Sequence, residues 1–366
     1  MKLKPRFITL AALSTGLALH AGLSSAQQSI TVVSFGGAMT RALDAAIYQP
    51  FTEATGIRVI SEDYNGGLGQ IRSQVEFDNI DWDVVQIEAG DPLLGCDEGL
   101  LEEIDPELLT AAPDGTPASD DFLRSGLLPC AVANIVWSTV IAYNTDSFGA
   151  DGPQPSTIED FFDLDTFPGT RGMRRSAIGT MEWALMADGV PRSEVYDVLA
   201  TEEGIDRALA RLDTIKDSVI WWEAGAQAPQ LLADREVVMS AAWNGRIFDA
   251  EVNEGQPFAI LWDTQIMAMD HWAIPRGTPR LENALAFVQF ASETANSARV
   301  SEHIAYGSPR LSAAALVPMH AELGIDMSTH LPTHPDNTGN ALINDLEFWN
   351  DFGDEVSDRF NNWLLR

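Results

Sequence analysis

The chain has 366 residues, 45% of them hydrophobic, with 22 lysines and arginines against 54 acidic residues and a formal charge of −32. That length is enough for two medium-sized lobes. So acidic a molecule is a poor partner for nucleic acid or an anionic membrane surface; its carboxylates suit plain solubility or the attraction of cationic solutes.

The start reads as a leader. Basic Lys2, Lys4 and Arg6 precede an apolar stretch from Ile8 to Leu19, and Ser24-Ser25-Ala26 stands before Gln27. This predicts a secretory signal peptide over 1–26, cut after Ala26. The apolar part is short for a membrane span, and no later segment approaches about 20 unbroken apolar residues. With no lipobox cysteine near the cut, the expected product is a soluble periplasmic protein without a lipid anchor. Losing Lys2, Lys4 and Arg6 but no acid takes the charge to −35 and leaves Lys216 as the remaining lysine.

Ile30-Thr31-Val32-Val33-Ser34 is a β-branched apolar run that predicts a buried strand. It breaks at Gly36-Gly37, and Met39, Leu43, Ile47 and Phe51 then fall at helical spacing, with Gly56 as a stop. A strand feeding a helix through a glycine turn exposes main-chain N–H groups at the strand's carboxyl end, where open α/β sheets hold small ligands. Ser34, Phe35, Gly36 and Gly37 are the first candidate ligand-binding residues.

Alternation continues along the chain. Strands are expected at Ile57 to Glu62, Asp83 to Ile87 and Val237 to Trp243, with short ones at Phe258 to Trp262 and His271 to Pro275. Cys130 to Tyr143 is apolar and long enough to pass between two lobes. Helices are expected at Gly69 to Phe77, Glu159 to Leu164, Glu182 to Asp188, Glu203 to Lys216, Pro229 to Asp234 and Leu281 to Ala291. Cys96 and Cys130 are the two cysteines. In an exported chain they point to one disulfide closing the surface loop Ala111 to Ser125, or else to two separate buried thiols. The class is α/β, doubly wound, with more than one crossover.

The order Ser34-Phe35-Gly36-Gly37, Pro50 to Ile57, Asp83-Val84-Val85, Trp243-Asn244-Gly245, Met269 to Pro275 and Ala305 to Pro309 resembles the periplasmic solute-binding proteins of ABC importers, in particular the spermidine/putrescine-binding type. The likeness runs from about Ile30 to Ala315. It implies a two-lobed periplasmic binding protein fold of type II, each lobe a doubly wound sheet flanked by helices, joined by a hinge of crossing strands. The implied lobes are 27–137 with 270–310, and 138–269 with 311–366. A ligand would be trapped between them by hinge closure.

By that resemblance Asp270 receives an amine, Trp243 is an aromatic wall, Tyr306 lines the cleft and Glu88 stands at a ligand-contacting strand end. Polyamines need carboxylates along their length and aromatic faces beside their stems. From the second lobe, Trp222 and Glu223, before a Gly-Ala-Gln-Ala-Pro turn, are expected to face the cleft. Glu182, at a helix start where a carboxylate suits the dipole, is a further candidate.

Three departures shift the expected ligand. Ser176 and Gly179 stand where the family has paired acids, Ala268 stands where it has a tryptophan, and Arg171, Arg174, Arg175 and Arg246 crowd the second lobe. A shorter or zwitterionic solute, amino-acid-like or opine-like, is therefore the alternative to a polyamine. The glycine turn would then hold a carboxylate while Glu88 and Asp270 hold an amine.

No G-x-S-x-G or H-E-x-x-H motif occurs, so an enzyme is not expected. His320, His330 and His334 cluster late in the chain, but two of them flank prolines and no tyrosine pair adjoins them; no metal and no cofactor are expected. The expected partners are a small cationic or zwitterionic solute and the permease subunits of an importer. The protein itself is expected to be a monomer.

Overall fold

The computed structural model describes Met1 and residues 28–366, apart from 89, 150, 151 and 318. The signal peptide and its cleavage site lie outside the described residues.

Among the described residues ten strands form one sheet: β1 Ser29–Ser34, β2 Arg58–Asp63, β3 Val84–Ile87, β4 Leu127–Leu128, β5 Ala131–Asn144, β6 Arg171–Arg174, β7 Val219–Trp222, β8 Met239–Trp243, β9 Phe258–Ala273 and β10 Leu342–Ile343. The order is β2-β1-β3-β9-β5-β8-β6-β7, with β10 beside β9 and β4 beside β5. One half is parallel through β2, β1 and β3. The other is parallel through β8, β6 and β7. The long antiparallel pair β5 and β9 joins them, running from Ala131 opposite Ala273 to Asn144 opposite Phe258. This is the mixed α/β architecture of a two-lobed binding protein, with β5 and β9 as the crossing ribbon.

The sequence reading has two short strands where the structure has one, β9, whose register against β5 shifts between Thr139 opposite Ile266 and Ile141 opposite Leu261. Buried Gln265 accepts from Ser138 Oγ across the ribbon at 2.7 Å and donates to the Asn337 carbonyl, so a polar residue is tolerated mid-strand.

The helix after Gly36-Gly37 is continuous in direction but not in winding. It is α-helical over Gly37–Leu43, widens to a π turn over Asp44–Tyr48 and resumes over Gln49–Thr55. Pro50 lacks the N–H that an α-helix would give to Ala46, and the wider turn accommodates that loss. Gly56 ends it with φ 76°, its N–H on the Thr52 carbonyl.

Helices cover the sheet on each half. Phe51, Tyr48 and Trp272 pack against Phe287 of the helix Leu281–Ser292 at centroid distances of 5.3 to 5.8 Å. In the other half Met173, Trp183, Leu185, Leu212 and Trp222 are fully or nearly fully buried. Cys96 and Cys130 are joined, tying the helix Asp91–Asp97 to the start of β5 with their Cα atoms 5.6 Å apart. The loop between them is less superficial than expected, since Ala112, Ala118, Asp121 and Phe122 are buried.

The last helix, Leu346–Leu364, is capped by Asp345, whose Oδ1 accepts from the Phe348 N–H at 3.0 Å. Its Phe360 and Trp363 rings lie 5.7 and 6.0 Å from Trp221. Lys216 donates to the Trp363 carbonyl at 2.6 Å.

Candidate functional site

A tight cavity of about 10 Å³ lies between the strand ends, lined by Phe35, Met39, Glu88, Ile135, Trp137, Trp243, Arg246, Asp270 and Tyr306. Its floor is the crossing ribbon. Asp270 on β9 pairs with Ile135 on β5, and Trp137 stands opposite Ala268. Trp137 therefore reaches diagonally and donates its indole N–H to Asp270 Oδ1 at 2.5 Å. The aromatic wall that Ala268 cannot supply comes from the neighbouring strand.

The other lining residues sit at strand ends. Phe35 follows β1 and Glu88 follows β3, while Trp243 closes β8. Asn244 fixes the turn after Trp243: its Oδ1 accepts from the Ser138 N–H at 2.9 Å and its Nδ2 donates to the Ala305 carbonyl at 2.6 Å. That bond holds Tyr306, the residue after Ala305, against the short helix Asn244–Phe248. Phe35, Trp137 and Trp222 each meet Trp243 edge-on at 5.8 Å.

Two arginines belong to the site. Arg174, from the end of β6, donates to Glu88 Oε1 at 2.6 Å with both side chains nearly buried. Arg246 is buried, and its Nη2 donates to the Phe35 carbonyl at 3.0 Å. Their guanidinium carbons lie 5.2 and 5.7 Å from the Trp243 ring centroid. A Cβ on Gly37 would sit 2.6 Å from Arg246 Nη1, and Gly37 has φ 57°. The left-handed backbone calls for glycine there.

The electrostatics are mixed. Burial, and next the Glu88 charge, push Asp270 well above the usual carboxylate range, while Trp137, Arg174 and Arg246 pull it back. Burial works against the Arg174 charge, but Glu88 overrides it and the pKa rises. Burial lowers that of Arg246, with Tyr306 and Asp249 opposing. Among the described residues Asp270 has no cation within salt-bridge distance, and Arg246 has no carboxylate. One carboxyl group and one guanidinium, neither with an ionic partner among the described residues, thus line the same cavity.

The structure brings Phe35, Glu88, Trp243, Asp270 and Tyr306 together and places the other expected residues elsewhere. Ser34 is buried behind the turn. Its hydroxyl bonds to Thr40 Oγ1 at 2.8 Å, and since Thr40 gives its own proton to Asp63, Ser34 is the donor. Gly36 packs against Asp63 and shapes the turn, and Gly37 faces the Arg246 guanidinium. Trp222 backs Trp243 without reaching the cavity. Glu223 is exposed and pairs with exposed Arg175 at 3.1 Å, because the chain leaves β7 outward there. Glu182 caps its own helix, accepting from the Gly179 N–H at 2.8 Å, Trp349 Nε1 at 3.1 Å and Tyr196 OH at 3.3 Å. Arg171 is buried and spends its donors on the carbonyls of Phe161, Asp163, Phe167 and Gly169.

Met39, Ile135, Trp137, Arg174 and Arg246 complete the site. Met39, Ile135 and Trp137 read as core from sequence, and they do sit among apolar neighbours. The Arg246 signal is its place three residues after Trp243, one helical turn beyond the aromatic wall.

A sequence model of the bacterial extracellular solute-binding proteins matches residues 46–331, and the chain belongs to that family. It is a solute-binding protein of the ABC-importer kind, not an enzyme. It is 42% identical over 351 residues to the gamma-aminobutyric acid-binding protein of Pseudomonas aeruginosa, covering 96% of this chain and 95% of the relative. Among solved structures it is similar to MotA from A. tumefaciens B6 in complex with glucopine, with 30% identity, TM-score 0.83 and coverage of 92% and 100%. The GABA receptor Atu4243 is also similar, with 28% identity, TM-score 0.77 and coverage of 92% and 98%. Against the spermidine/putrescine-binding protein PotD of Streptococcus pneumoniae identity drops to 15% at TM-score 0.68, a likeness of fold alone. The polyamine branch suggested by the motifs is therefore a distant one. Among the described residues no helix is long and apolar enough to cross a membrane.

Proposed function

We propose that the protein is the periplasmic receptor of an ABC importer for a short zwitterionic amine of the γ-amino-acid type, which it hands to the membrane permease. One observation carries this reading: the Asp270 carboxyl and the Arg246 guanidinium, each lacking an ionic partner among the described residues, line one small cavity. An ammonium meets Asp270 under the Trp137 and Trp243 rings, and a carboxylate meets Arg246 beside the Gly36-Gly37 turn. With Glu88 matched by Arg174, Asp270 is left to meet one ammonium and Arg246 one carboxylate, which favours a solute carrying one of each over a polycation. The relatives that bind GABA and glucopine support the same choice.

The lobes we propose are 27–137 with 270–310 and 138–269 with 311–366. Arg174 to Glu88, Arg246 to the Phe35 carbonyl, and Arg41 to Asp249 at 2.7 Å would then be contacts across the cleft. A ligand bridging Asp270 and Arg246 adds to these only when the cleft is shut, the differential affinity that closure requires.

Thermal shift of the purified protein with GABA, glucopine-type opines, putrescine and spermidine tests the reading. Stabilisation by a zwitterion and none by the polyamines is expected. Stabilisation by putrescine or spermidine alone overturns it.

A further inference from the structure

Gly90 has φ −78° and ψ −13°, a backbone that any residue adopts, so its conformation does not call for glycine. Its surroundings do. A Cβ there would lie 2.7 Å from Asn350 N and Trp349 C and 3.0 Å from Trp349 O, all main-chain atoms of the last helix. That helix is anchored on the other half of the molecule. Arg359 bonds to Asp206, Trp363 Nε1 donates to Asp213 at 2.7 Å, and Trp349 Nε1 donates to buried Glu182 at 3.1 Å. Gly90 belongs to the half that carries β3, two residues beyond Glu88. The Glu88 carbonyl accepts from the Asp91 N–H at 3.2 Å, and the Gly90 carbonyl accepts from Leu94 at 3.0 Å.

We infer that Gly90 and Trp349 form a further, backbone-to-backbone contact between the two halves that positions Glu88 at the cavity, so that both act as positioning residues for ligand affinity. The inference rests on the proposed cavity. Glu88 meets Arg174 only when the halves are as close as they are here, and the backbone seat at Gly90 allows that approach. A methyl group there pushes against main chain, which cannot swing aside as a side-chain tip can. Glu182, buried and bonded to Trp349, Tyr196 and the Gly179 N–H, braces the helix from behind.

Calorimetry with GABA on wild type, Gly90→Ala, Trp349→Phe and Gly69→Ala, with melting curves of the empty proteins, tests this. Gly69 has open space around its Cβ position and serves as the control. Gly90→Ala is expected to weaken GABA binding about ten- to a hundredfold, mainly through faster release, with the empty melting temperature unchanged. Trp349→Phe is expected to weaken binding less, and Gly69→Ala not at all. In Glu88→Gln, adding Gly90→Ala should cost little more, because the two residues act through one another. Wild-type affinity in Gly90→Ala overturns the inference, as does a loss that only follows a fall in empty-protein stability. A wild-type protein that binds no zwitterion defeats the cavity reading and this inference together; normal wild-type binding with an unaffected Gly90→Ala defeats this inference alone.

Discussion

The indole N–H of Trp137 points at Asp270 Oδ1 from the adjacent strand of the crossing ribbon, 2.5 Å away. It leaves the carboxylate oriented but not neutralised. Asp270 sits buried with a partner that lends a proton and no charge, which keeps it costly to ionise until a cation arrives.

Asp270→Asn should therefore keep the bond from Trp137 and lose the ammonium site. Truncating one member of a buried charge pair costs about 2–5 kcal/mol. Calorimetry with GABA should show a loss of at least about thirtyfold. An unchanged affinity takes Asp270 out of the site.

Arg246→Gln removes the unmatched cation. Affinity for GABA should fall by a similar factor, while 4-aminobutanol, which lacks the carboxylate, should bind both proteins about equally. Equal loss for the two compounds places the carboxylate elsewhere.

Glu182 gives stability a pH dependence. Burial raises its pKa from 4.5 to about 7, against the bonds from Gly179, Trp349 and Tyr196. Burial, and then Glu88, raises Asp91 likewise to about 7. Both acids hold a proton in the folded state that the unfolded chain has released, so between the unfolded and folded values stability declines as pH rises. The slope is at most about 1.4 kcal/mol per pH unit for each group. Melting temperature should fall from about pH 5 to about pH 8, and Glu182→Gln should flatten that fall. The same slope in both proteins rules Glu182 out as a source.

Cys96 and Cys130 are separated by 34 positions in sequence. Closing a loop of that size removes unfolded-state entropy worth roughly 3–4 kcal/mol. The Cys96→Ser/Cys130→Ser double variant should unfold at clearly lower denaturant, with ligand affinity intact if the halves still close. No change in the unfolding midpoint contradicts the role given to the bridge.

The parallel strands β1, β2, β3 and β8 were legible because apolar runs broken by Gly36-Gly37 or Trp243-Asn244 carry a strong local signal, whereas the parallel strands β6 and β7 were not expected. Asp270 and Glu88 were legible through the family resemblance, since Asp270 lies inside β9 where no local break marks it. Trp137 was not, since its role depends on register: it faces Ala268, and register is a property of two strands. Glu223 and Trp222 show the converse. Their sequence suits a binding turn, yet β7 is the edge strand of its half and delivers Glu223 to solvent. The last helix carries a readable stripe in Trp349, Val356, Phe360 and Trp363, but its use, seating Gly90 against the opposite half, exists only in three dimensions.

The central claim is that one cavity matches two opposite charges on one solute. Calorimetry comparing GABA with butylamine and butyrate, each lacking one end, tests it most directly. The account predicts that either truncation removes most of the affinity. Butylamine or butyrate binding as tightly as GABA contradicts it.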